Sequence, residues 1–145
     1  MSGIVEFFVA PSREVASAVV GSGPGEVFDS LTFGNFDAEE ALIEWESILG
    51  SRSFAELVDA GVPEVVAEPD DGEGPLLLLV SAALQRALAA ADGHRLAEAG
   101  RQWVLVRAEE REVFDPEVAA RILTGLAELA NGIGDRQGWL YCRIT

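Results

Sequence analysis

Residues 139–144 read Trp139-Leu140-Tyr141-Cys142-Arg143-Ile144, with Leu140, Cys142 and Ile144 facing one way and Trp139, Tyr141 and Arg143 the other. Alternation with a period of two over a β-branched and aromatic run predicts a strand. The other end of the chain carries the same signature. In Ile4-Val5-Glu6-Phe7-Phe8-Val9, residues Val5, Phe7 and Val9 share one face and Ile4, Glu6 and Phe8 share the other. Two terminal strands with helical segments between them suggest neighbours in one small sheet. Glu6 and Arg143 both fall on the less apolar strand faces, so pairing of the strands would let each charge neutralise the other.

Between these strands the sequence is mostly helical. Pro11-Ser12 supplies a stop and an N-cap, and Val15, Ala16, Val19 and Val20 keep helical spacing up to Gly21. Residues 26–33 are ambiguous and are read as a strand on Val27, Leu31 and Phe33. The clearest helix covers 37–49. Asp37 and Glu40 have capping-box spacing, and Ala38, Ala41, Leu42, Trp45, Ile48 and Leu49 form an apolar stripe, with Glu39, Glu40, Glu44 and Glu46 expected off it in solvent. Ser53 and Glu56 repeat the box, and Val62-Pro63 begins an extended piece that leads to a surface loop over 68–74. Pro75 suits a first helical position, which predicts one long buried helix from Leu76 to Ala91. From His94 to Arg111 a helix is favoured, although Trp103-Val104-Leu105-Val106 also fits a buried strand. Asp115-Pro116 opens the last helix, whose apolar positions run from Ala119 to Ala130.

These elements predict a single α+β domain over 1–145, a small sheet with adjacent N- and C-terminal strands packed against about four to five helices. The chain has 145 residues, 49% of them hydrophobic, which suffices for one core without a disulfide or structural metal. Its charge is less ordinary: 25 acids oppose 10 bases, every base is Arg, and the formal net charge is −15. Residues 1–80 hold sixteen acids against Arg13 and Arg52, whereas residues 81–145 hold nine acids against eight Arg. The acidic field therefore belongs to the N-terminal half. It disfavours nucleic acid, whose phosphates need clustered bases, and favours a basic protein partner. The run Leu76 to Leu84 is too short to span a membrane, and the N-terminus lacks a basic region and a cleavage pattern. With one unpaired Cys, a cytoplasmic location is expected.

The residues also narrow the chemistry. One His and one Cys cannot build the paired-imidazole or CxxC zinc sites, so no metal or other cofactor is expected. Asp70-Asp71-Gly72-Glu73 lacks the alternate ligands and distal Glu of a calcium loop. Cys142, on an apolar strand face, reads as an inert core thiol rather than a nucleophile activated by His94. Gly21-Ser22-Gly23-Pro24-Gly25 has no Lys and loses an amide to Pro24, so it reads as a turn rather than a phosphate loop. Trp45 and Trp103 lie on apolar stripes and read as core. Trp139 and Tyr141, on the outer strand face, are candidates for a binding surface or for contact with a packing helix.

The opening strand Gly3-Ile4-Val5-Glu6-Phe7-Phe8, the short Thr32-Phe33-Gly34, the helix 116–131 and the closing Gly138-Trp139-Leu140-Tyr141-Cys142 together resemble the YfbM-like family of uncharacterised bacterial proteins. That resemblance implies an α+β domain with adjoining terminal strands and transfers no residue roles. The expected function is a non-catalytic acidic domain that binds a basic protein, an immunity or antitoxin-like role being one form. Its candidate contact residues are Glu39, Glu40, Glu44, Asp70, Asp71, Trp139 and Tyr141. The alternative is a small-ligand-binding domain or carboxylate-based enzyme, with a cleft between the acidic helix and the sheet. Either a monomer or a homodimer built on the Trp139 and Tyr141 face is compatible with these features.

Overall fold

A computed structural model describes residues 4–18, 30–34, 36–50, 52–68, 75–133 and 138–145. Among them are five strands and six helices in the order β1 (Ile4–Ala10), α1 (Arg13–Ala18), β2 (Ser30–Gly34), α2 (Ala38–Leu49), α3 (Phe54–Asp59), β3 (Glu64–Ala67), β4 (Leu76–Leu79), α4 (Ala82–Ala90), α5 (Gly93–Glu109), α6 (Pro116–Ile133) and β5 (Trp139–Ile144). The strands form one antiparallel sheet in the order β2-β1-β5-β4-β3, so the terminal strands are neighbours and β5 is its centre. This is an α+β fold. Glu6 stands directly opposite Arg143 in the β1–β5 register, and the two side chains form the ion pair that their positions predicted.

The two sheet faces are covered unequally. Val5, Phe7, Leu78, Leu140 and Cys142 face a thick helical layer of α2, α4, α5 and α6 and share its core with Leu42, Trp45, Leu84, Leu88, Trp103 and Leu123. Phe8, Ala10, Leu77 and Tyr141 face the other way and pack with Ala16 and Val15 of α1. In the thick layer α5 and α6 cross at small residues: a Cβ on Gly100 would lie 3.0 Å from the backbone nitrogen of Ala120.

One expectation is overturned at residues 76–91. Leu76 to Leu79 form strand β4 between β5 and β3, with Leu78 opposite Cys142 and Leu77 opposite Arg143. The helix starts only after Ser81, whose side chain accepts the Leu84 N–H at 3.1 Å as an N-cap. Both faces of β4 are covered, so Leu77 and Leu78 are both buried and the run shows no alternation. A strand of that kind has the same pattern as a buried helix. The ambiguous segments resolve as β2 over 30–34 and as helix α5 through 102–107. Residues 19–29 and 69–74 lie outside the described residues, and with them the end of the first predicted helix, the glycine-rich turn and the acidic loop.

Candidate functional site

Helix α2 carries the candidate site, and its N-terminus is built much as its sequence requires. Asp37 Oδ1 accepts the Glu40 N–H at 3.1 Å. The Glu40 carboxylate does not complete the box; it turns to Arg107 of α5 at 3.3 Å. Helix α3 has the complete box, with Ser53 and Glu56 each accepting the other's backbone N–H.

The acids of α2 divide into three environments. Glu39 is exposed. Glu44, expected in solvent, is only 5% exposed because α2 is packed by α3, α4 and α5 at once, which buries every residue from Ala41 to Glu46. Its Oε1 accepts from Trp103 Nε1 at 2.9 Å and from Arg107 Nη1 at 3.0 Å, and its Oε2 accepts from Arg107 Nη1 at 2.9 Å. Burial raises the Glu44 carboxyl above its ordinary value, against the lowering effect of the Trp103 and Arg107 donors. Burial also opposes the charge on Arg107, but hydrogen bonds and the charges of Glu44 and Glu112 outweigh it and hold the guanidinium protonated. Glu46 is buried as well, taking the Ser81 hydroxyl and Arg52 Nη2, the latter at 3.1 Å. Glu44 and Glu46 thus tie α2 to α5 and to the start of α4, and neither is a free surface charge.

Two grooves flank the outer side of α2. The larger, about 450 Å³, lies between Asp37, Glu39, Glu40 and Ile43 on the helix and Gly61, Val62, Pro63 and Val65. The smaller, about 280 Å³, is lined by Glu40, Glu44, Ser47, Ile48, Phe54, Val106 and Glu110. Glu40 lines both. Both linings mix apolar side chains with carboxylates. Phe54 and Val65 are exposed although apolar, Val65 on the edge strand β3. No short sequence pattern marks Val62, Pro63, Val65, Phe54 and Glu110 as one surface, because three separate stretches of the chain contribute them.

The other candidate residues lie apart from this face. Tyr141 is fully buried, which excludes a surface role and leaves the other expectation, contact with a packing helix: it stacks on Phe8 with ring centroids 5.8 Å apart, in one cluster with Ala16 of α1. Burial raises its hydroxyl, which has no hydrogen-bond partner among the described residues. Trp139 is 46% exposed and borders a third groove of about 330 Å³ with Arg86 of α4 and Asn131 of α6. Asp70 and Asp71 lie outside the described residues. His94 is exposed near the start of α5, and Cys142 is buried in the sheet with its thiol raised by burial. Trp45 and Trp103 are core, in edge-to-face contact at 5.2 Å.

Among the described residues no three His, Cys, Asp or Glu side chains are grouped to hold a metal ion, and no helix is long and apolar enough to cross a membrane. No family model, curated protein or solved structure matches the chain, so the resemblance to the YfbM-like family rests on the sequence pattern alone.

Proposed function

We infer that this protein is a non-catalytic acidic binding domain that engages a basic protein, an immunity or antitoxin-like role being one concrete form. The observation that carries this reading is the outer side of α2, where Glu39 and Glu40 border apolar grooves in a chain of net charge −15. Such a surface attracts a basic partner at long range and offers it apolar contact once docked. Glu44, taken up by Arg107 and Trp103, supports that surface from beneath.

Immobilised full chain exposed to cell extract tests this reading. Basic proteins should be retained at low salt and released as ionic strength rises, since the Debye length shrinks from about 10 Å at 0.1 M to about 3 Å at 1 M. Glu39→Lys should reduce the retention. A featureless profile that salt does not change would overturn it. The groove between α2 and β3 also lies where the ligand-binding alternative requires a cleft. A reproducible thermal shift with a small amine or a divalent cation, lost in Glu39→Gln, would favour that second reading.

A further inference from the structure

We propose that the two grooves along α2 receive one basic amphipathic helix of the partner protein, placing an arginine or lysine head group between Glu40 and Glu110 beside Phe54 and an apolar side chain on Val62 and Val65. This rests on the acidic-binding reading above and adds where and how the partner sits.

Three observations argue for that occupant. The first is extent: the two grooves share Glu40 as a lining residue, and the α2 positions that line them run from Asp37 to Ile48, a length of about 16 Å at helical rise. That is about three turns, over which a docked helix presents anchors at i, i+4 and i+7. The second is charge. Arg107 is taken up by Glu44, with Glu40 and Glu112 on its flanks, and Glu39 and Glu110 form no ion pair among the described residues. A cation between Glu40 and Glu110 would meet the Glu110 carboxylate, unpaired among the described residues, on one side and, on the other, Glu40, whose partner Arg107 is shared with Glu44 and Glu112; the Phe54 ring adds a favourable face for it. The third is the form of the sheet edge. β3 is four residues long and its pairing shifts register between Val65 and Ala67. Short, bulged edges resist addition of another strand, so an added β-strand is a poor occupant and a helix seated on side chains is a better one.

The test is titration of the full chain with two fluorescent synthetic peptides of identical leucine and arginine composition, one ordered as an amphipathic helix and one scrambled. The amphipathic peptide should bind at least about tenfold more tightly. Glu110→Gln and Val65→Ser, both at exposed positions, should each weaken it by about fivefold, while Glu117→Gln on α6 should leave it unchanged. If both peptides bind equally, or if Glu110→Gln and Val65→Ser have no effect while salt still releases the peptide, the docking mode is wrong and the acidic-binding reading survives. If neither peptide shows salt-sensitive binding, both fail.

Discussion

Replacing Arg107 by Met removes the cation that pairs with Glu44, Glu40 and Glu112. Arg107 is 4% exposed and Glu44 is 5% exposed, so the carboxylate left behind has little access to water. Breaking a buried pair from one side costs about 3–5 kcal/mol, because the remaining charge keeps its desolvation penalty without its partner. Against a total stability of about 7–20 kcal/mol for a domain of this size that is a large fraction, and it corresponds to a melting temperature lower by about 10–15 °C. The pH dependence is the sharper part. In the folded protein the Glu44 carboxyl already sits above its ordinary value of 4.5, so its contribution is fully present below that value and is lost as pH rises through the folded one. Without Arg107 the folded value rises further. The deficit of Arg107→Met should therefore be largest near pH 7 and shrink towards pH 4, where Glu44 is mostly neutral in both states. Urea denaturation at the two pH values measures it. The double variant Glu44→Leu/Arg107→Met should recover to within about 1–3 kcal/mol of wild type, the remaining cost being Trp103 Nε1–H without its acceptor. A single-variant loss below about 1 kcal/mol, or a deficit independent of pH, would refute the argument that a buried charge is being stranded.

Further outcomes follow from the packing. Gly100→Ala should destabilise by about 1–3 kcal/mol in chemical denaturation, because its Cβ meets Ala120 backbone at 3.0 Å and α5 and α6 must separate. Gly125→Ala should be close to neutral in the same assay: its Cβ meets the movable end of Leu31, and helix propensity returns about 1 kcal/mol. Ser53→Ala should cost about 1 kcal/mol through loss of the α3 capping box, read as an earlier thermal transition. The Cys142 thiol should resist an aromatic disulfide reagent in the native protein and react on unfolding, since it is buried and its thiolate is disfavoured there. Rapid native labelling would mean that the β5 core opens readily.

Much of this architecture is legible along the chain where the deciding interactions are local. The caps of α2, α3 and α5 lie within a few residues of the helices they start: Asp37, Ser53 and Asp92 each accept the backbone N–H three positions on. Alternation marked β1 and β5, their place at the two ends of a helical chain suggested that they are neighbours, and the Glu6–Arg143 ion pair followed from that pairing. The Leu76–Leu79 strand was not legible in that way. Its Leu run has helical propensity, and β-pairing with residues far along the chain overrides it. The one local clue was Ser81, a capping residue placed after the run rather than before it.

The sequence by itself determined the α+β class, the neighbouring terminal strands, most helix starts and the concentration of acid in the first 80 residues. Tertiary structure alone decided which acids remain available. Glu39 and Glu44 are five residues apart on one helix, yet one is exposed and the other is enclosed with Arg107 and Trp103, sixty residues on. Helical periodicity sets the direction in which a side chain points, but what it meets depends on the elements that pack there. α2 is covered from three sides, so its buried arc is wider than its apolar stripe. Glu44 and Glu46, within that arc, hold the helices together, and Glu39, outside it, is left to solvent and lines the larger groove.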